Sequence, residues 1–88
     1  MTTFDAAFAT LTGIVRRTLA NPDLDLDPLS TSRSIVGWNS FKYVEIILEL
    51  ETEYDITLDG QDIDEVRNIG DLAELVVMKT AATAGARS

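Results

Sequence analysis

Apolar residues near the start of the chain recur at helical spacing. Phe4, Phe8, Leu11 and Val15 fall at i, i+4, i+7 and i+11, and Ala7, Ile14 and Leu19 widen the stripe, which predicts an amphipathic helix. Thr2 and Asp5 have the T-x-x-D form of a capping box at its start. The helix is expected to stop near Ala20, because the residue before Pro22 is pushed away from helical geometry. From Asn21 to Gly37 the pattern loses its period. Pro22 and Pro28 punctuate it, and Ser30, Thr31, Ser32 and Ser34 favour turns, so a long ordered loop is expected. Leu24, Leu26, Leu29, Ile35 and Val36 are too apolar for a solvated linker and predict that the loop lies on the core.

A second helix is predicted after Ser40, a good N-cap, running to Tyr54. Val44, Ile47, Leu50 and Tyr54, with Phe41, are read as its buried face, while Glu45, Glu49 and Glu53 make an acidic stripe. Ile46 and Leu48 fall outside that face, and an outward-facing one would mark a contact surface. Ile56 and Leu58 then alternate like an extended stretch, and Asp62 to Val66 can form a turn or two of helix pinned by Ile63 and Val66. Asn68 opens the last helix, with Asp71 at the capping-box position and Ile69, Leu72, Leu75 and Val76 as the buried face. The predicted fold class is all-α: a small antiparallel bundle of three main helices plus one short helix, with a long first loop. Residues 1–80 form a single domain in this reading, and residues 81–88 a flexible tail.

Composition changes the picture mainly through charge. The chain is 45% hydrophobic and 25% charged, as folded domains are, but 7 Lys+Arg against 15 Asp+Glu leave a net charge of −8. That balance disfavours nucleic acid, which needs a basic face, and an anionic membrane surface. It favours basic protein surfaces as partners. The sequence contains neither His nor Cys, which excludes Ser-His and Cys-His nucleophile pairs and thiolate metal sites. No apolar run is long enough to span a membrane, and no secretory leader pattern opens the chain, so a cytoplasmic location is the default. A chain this short also leaves little room for an internal active site.

Candidate chemistry is sparse. Asp23, Asp25 and Asp27 resemble the opening of a calcium loop, but Pro28 stands where the loop needs Gly and Ser34 where it needs Glu, so no metal site is assigned. The glycines form no phosphate-cradling pattern, and the paired carboxylates lie on helix faces, where ordinary pKa values suit neither acid nor base catalysis at neutral pH. Gly37-Trp38-Asn39-Ser40-Phe41 remains. Ser40 there is either a plain cap or a hydroxyl at the positive pole of a helix, where a phosphate ester would be electrostatically tolerated. Trp38 fits either core or surface.

The run from Gly37 through Glu51 to Tyr54-Asp55-Ile56, with Asn68-Ile69-Gly70-Asp71-Leu72 further on, resembles the acyl carrier protein signature. The resemblance covers nearly the whole chain in length, charge and helix order. It implies a carrier rather than an enzyme, with Ser40 receiving covalent 4′-phosphopantetheine from coenzyme A through a phosphopantetheinyl transferase. Cargo would ride as a thioester to partner enzymes of a lipid or secondary-metabolite pathway. An acyl- or aminoacyl-loading ligase and downstream transferases would dock through basic patches. By position, Phe41, Val44, Glu45, Leu48 and Glu49 correspond to the docking surface, with Ile63 and Val66 flanking the arm. Val44 and Phe41 are equally open to being core, and the glutamates to being a solvated face. The resemblance also implies that the core can shelter an acyl chain, and the carrier is expected to act as a monomer. Asn39 stands where the family commonly has an Asp that helps hold a metal in the transferase complex; Phe41 replaces Leu, and Lys42 replaces an acidic or small residue. These departures suggest a specialised carrier. An aminoacyl or peptidyl carrier, or an unmodified acidic interaction module, is the alternative.

Overall fold

In the computed structural model, backbone is described for residues 2–87 and side chains for residues 2–82. The first helix, α1, spans Phe4–Thr18 and buries Ala7, Leu11, Ile14 and Val15, with Phe4, Phe8 and Leu19 packed at its edge. Its cap is Thr3 rather than Thr2. The Thr3 hydroxyl accepts from the Ala6 amide at 3.2 Å, so the capping register lies one residue later than the T-x-x-D pattern suggests. The helix closes two residues before the expected Ala20. Asn21 N–H donates to the Arg16 carbonyl and Ala20 N–H to the Arg17 carbonyl, the double closure of a Schellman end, with Ala20 in left-handed backbone at φ 53°.

The loop after α1 holds a short 3₁₀ turn, Ser32–Ser34, and is tied down at both ends. Arg16 Nε donates to the Leu24 carbonyl at 2.7 Å. Ile69 N–H reaches the Ser30 carbonyl at 2.9 Å and Gly70 N–H the Pro28 carbonyl at 2.7 Å. These two amides belong to the first turn of the last helix, which has no intrahelical acceptors for them, so the loop satisfies the helix end and the helix anchors the loop. The approach is close enough to require glycine: a Cβ on Gly70 would lie 2.8 Å from the Pro28 oxygen. Ile35 is buried, and Leu24 and Leu26 are half-buried. Leu29 and Val36 are not part of the core. Their backbone sits on the turns that lead to and from these anchors, and both side chains face solvent.

The second long helix, α2, spans Ser40–Tyr54 and corrects the expected face. Ile46, Ile47 and Leu50 are buried, with Tyr43 and Tyr54 packed beside them. This stripe, at i, i+3, i+4, i+7 and i+11, is truer to the helical repeat than the one centred on Val44. Phe41 (70% exposed), Val44 (56%) and Leu48 (56%) occupy the opposite side. Asp55 ends the helix in left-handed backbone at φ 53°. The Glu51 carboxylate then accepts from the Leu58 amide at 2.9 Å and steers the extended segment so that Ile56 and Leu58 are buried.

The short helix α3 spans Gly60–Asp64, earlier than the expected Asp62 to Val66, because Asp59 caps it by accepting from the Asp62 amide at 2.8 Å. Val66 therefore lies beyond the helix rather than in it. The Asp62 carboxylate meets Lys79 at 2.8 Å and so fastens α3 to the last helix, α4, which spans Ile69–Arg87. The Asn68 side chain caps α4 through the Asp71 amide at 2.8 Å, as its position predicts, although Asp71 accepts from Arg67 rather than closing the box on Asn68. Ile69, Leu72, Ala73 and Val76 are buried on α4, and Leu75 is half-buried. The helix continues past Thr80. The flexible tail expected over 81–88 lies, but for its first two residues, outside the described side chains.

Three main helices plus one short helix make the all-α architecture, with α1 packed against both α2 and α4 around one core. Among the described residues no polar side chain is buried, and no helix is long and apolar enough to cross a membrane.

Two outcomes test this packing. Ile46→Ala should lose about 2–5 kcal/mol in urea unfolding, the range for deleting a buried aliphatic side chain. Leu48→Ala should stay within about 0.5 kcal/mol, as surface changes do. The pair at α3 sets a pH dependence. The hydrogen bond from Lys79 holds the Asp62 carboxyl below its ordinary pKa and raises that of Lys79. A depressed carboxyl contributes stability above its unfolded pKa and loses it as the pH falls through the folded value. The protection factors of the α3 amides, with the intrinsic pH dependence of exchange divided out, should therefore fall as the pH drops below the ordinary aspartate range, and Lys79→Met should weaken that dependence.

Candidate functional site

Ser40 sits at the first residue of α2, and its role as cap is corrected. The cap is Asn39, in extended backbone, whose Oδ1 accepts from the Lys42 amide at 2.9 Å and whose carbonyl accepts from Tyr43 N–H at 2.9 Å. Asn is as good a cap as Ser, and either could serve; the extended geometry at Asn39 decides it. With the cap supplied next door, the Ser40 hydroxyl is exposed and has no hydrogen-bond partner among the described residues. The first amides of a 15-residue helix surround it without intrahelical acceptors, and they carry the positive end of the helix dipole.

The chain leading to this point is shaped by Gly37, at φ +89°, where a side chain would be strained. Trp38 follows, half-buried, its ring 5.6 Å from that of Tyr43 and tilted by 42°. Tyr43 escaped the sequence reading, which its position in the α2 stripe could have supplied. Burial raises the Tyr43 phenol above its ordinary pKa, and the nearby Asp64 charge adds to the shift. Ser40 lines an open groove of about 380 Å³ together with Asn39, Arg33, Ser32, Trp38 and Tyr43. Trp38, Tyr43 and Ser32 also line a smaller cavity of about 60 Å³ together with Val66, Arg67, Ile69 and Leu72. Val66 thus shares a cavity wall with the two rings that line the Ser40 groove. Ile63 packs half-buried against the core and walls neither space.

Phe41, Val44, Glu45, Leu48 and Glu49 lie together on the solvent side of α2. The two glutamates are already engaged. Lys42 Nζ lies 3.7 Å from Glu45 Oε2, one turn away, and Arg17 of α1 donates to Glu49 Oε2 at 3.1 Å. Sequence reasoning missed Arg17, because its partner is 32 residues away along the chain.

Residues 9–76 match the family described as phosphopantetheine attachment site, which takes in all of α2, α3 and the start of α4. The chain belongs to the acyl carrier protein family. It is 40% identical over 72 residues, 77% of its length, to acyl carrier protein 1, chloroplastic, from Hordeum vulgare, of which the match covers 48%. The chain thus spans about half the length of that relative. Its fold is similar to the solution structure of holo acyl carrier protein from Geobacter metallireducens, with a TM-score of 0.84 and 28% identity over 90% of this chain and 91% of that one. Membership makes the chain a carrier acted on by enzymes, and its prosthetic group a covalently attached 4′-phosphopantetheine. The exposed, unpartnered hydroxyl at the start of α2 fits that group, since a phosphodiester formed there would face free amides and the positive helix end.

The two adjacent polar residues should separate cleanly in stability. Asn39→Ala should cost about 1 kcal/mol in urea unfolding through loss of the cap. Ser40→Ala should cost less than about 0.5 kcal/mol, because its hydroxyl holds nothing. The reverse order would mean that Ser40 is the cap.

Proposed function

We propose that Ser40 is the attachment residue and that the carrier holds acyl intermediates as thioesters for the enzymes of a lipid or secondary-metabolite pathway. The observation that carries this reading is the free, exposed Ser40 hydroxyl at the head of α2, within the stretch that matches the family. When a phosphopantetheinyl transferase acts, Ser40 Oγ bonds to phosphorus, the pyrophosphate link of coenzyme A breaks, and the serine proton and the nucleotide are released. The attached group supplies the thiol, which this chain, lacking Cys, does not itself contain. The rest is positioning. Asn39 fixes where α2 begins, the helix end stabilises the phosphodiester charge, and Trp38 and Tyr43 line the groove in which the arm starts.

Phe41, Val44, Glu45, Leu48 and Glu49 form the docking surface for the loading ligase and downstream transferases in this proposal, and Val66, with Ile63 behind it, flanks the arm. The net charge of −8 steers basic enzymes toward the carrier. Asn39, Phe41 and Lys42 suit a specialised carrier. The Asn39 amide keeps the cap that a carboxylate would supply, while lacking its charge. Lys42 places a cation two residues from the attachment point, bound to Glu45. The carrier works as a monomer in an aqueous, reducing compartment such as the cytoplasm.

Incubation with coenzyme A and a broad-specificity transferase should raise the intact mass by one phosphopantetheine unit, and Ser40→Ala should abolish the gain while the helical circular dichroism persists. A gain that survives Ser40→Ala assigns another hydroxyl. No gain in the unaltered chain favours the unmodified interaction module, in which charge reversal at Glu45 and Glu49 alone would abolish function.

A further inference from the structure

An apolar groove of about 370 Å³ runs between α3 and α4. Leu75, Met78 and Ala82 repeat at i, i+3 and i+7 along α4 and form one wall over about 10 Å. Val66, just beyond α3, adds a fourth apolar side chain. Met78 is 66% exposed, although α4 buries Ile69, Leu72, Ala73 and Val76 on its core side. Asp62, Glu65, Asp71 and Glu74 border the groove, with Lys79 as the one cation among its lining residues. Lys79 is held by Asp62 at 2.8 Å, and Asp71 accepts from the Arg67 N–H at 3.0 Å. Glu65 and Glu74 are exposed and have no ion-pair partner among the described residues. The outward face of α2 differs, since Glu45 and Glu49 there each have a cation of this chain beside them.

A lysine or arginine approaching the groove meets Glu65 and Glu74 without displacing a counter-ion, while apolar neighbours bury Leu75 and Met78. Methionine suits such a contact, because its unbranched side chain repacks against irregular partners. The same carboxylates repel an anionic lipid surface, and a second copy of this chain would bring its own net charge of −8. A helix with an apolar stripe flanked by cations matches both the wall and its border. We propose that the α3–α4 groove is a docking site for a basic amphipathic helix of a partner protein, separate from the outward face of α2. Its lining shares no residue with the Ser40 groove or with the outward residues of α2, so both stay accessible while it is filled. A carrier held there remains attached to one protein while its arm visits another, and tethering replaces repeated diffusional encounters. That consequence rests on the reading of Ser40 given above; the docking site does not.

The probe is a capped amphipathic peptide of about 18 residues, long enough to form a helix, with leucines at i, i+3 and i+7 and lysines on both flanks. It is titrated into the isotope-labelled carrier, with and without the phosphopantetheine group, and followed by amide NMR. Shifts should centre on Glu65, Val66, Glu74, Leu75 and Met78 and leave Val44, Glu45 and Leu48 unmoved, and a peptide with glutamates for the lysines should not bind. Met78→Gln, which keeps an unbranched side chain, should raise Kd about fivefold. Glu65→Lys with Glu74→Lys should raise Kd about tenfold at about 0.05 M NaCl, a difference that narrows at about 0.5 M. Asp23→Lys with Asp25→Lys makes the same change in net charge on the first loop and should leave Kd within about threefold. Shifts centred on α2, equal weakening by the two charge-reversed variants, a silent Met78→Gln or no binding at all overturns the proposal and leaves the Ser40 reading standing. Concentration-dependent dimerisation lost in Met78→Gln, or binding to phosphatidylglycerol vesicles through the same residues, also overturns it by assigning the groove to another occupant. A chain that binds the peptide as described yet is never modified at Ser40 keeps the groove and removes the Ser40 reading.

Discussion

The hydrogen bond from the Lys42 amide to the Asn39 side chain fixes where α2 begins, and packing against α1 and α4 fixes which of its faces is buried. A helix starting at Ser40 places Tyr43, Ile46, Ile47, Leu50 and Tyr54 on one side, where α1 and α4 supply a core to meet them. The same register sends Phe41, Val44, Glu45, Leu48 and Glu49 outward and leaves the Ser40 hydroxyl with nothing to hold. The exposed position of Ser40 therefore follows from the cap, and the outward face of α2 from the packing. The helix end contributes in turn: its unpaired amides make the position of Ser40 electropositive in a chain whose overall charge is strongly negative.

The surroundings of this helix end depend on a second tie. The long first loop is held by giving its Ser30 and Pro28 carbonyls to the opening amides of α4, and by the Arg16 side chain at Leu24. That loop delivers Gly37, Trp38 and Asn39 to their places. Gly70 permits the approach, since any side chain there would meet the Pro28 carbonyl. Two backbone hydrogen bonds and one from the Arg16 side chain thus join three segments, which lets a small domain with a thin core hold a long loop in one conformation.

Much of this was legible in the residue pattern. The stripe from Phe4 to Val15 fits a single helical face, and α1 follows it. Asn68 is the one good cap before Ile69, and it caps. Where several residue types serve equally, the pattern fell short: Thr2 and Thr3, like Asn39 and Ser40, are adjacent caps of similar quality, and backbone geometry chooses between them. In α2, apolar residues occupy eight of the positions from Phe41 to Tyr54, enough for two overlapping stripes, and only the packing of α1 and α4 selects one. Glu49 reads as one member of an acidic stripe until the fold brings Arg17 to it, a pairing that no local spacing encodes.

The central claim is that the free hydroxyl at the head of α2, among several nearby, is the tether. Peptide-level tandem mass spectrometry of the carrier purified from its own cells, under conditions that preserve phosphodiesters, examines it directly. The account predicts the prosthetic group on the fragment ion containing Ser40, with Ser30, Thr31, Ser32 and Ser34 unmodified. The group on any of those loop hydroxyls, or a bare Ser40 in the working protein, would contradict it.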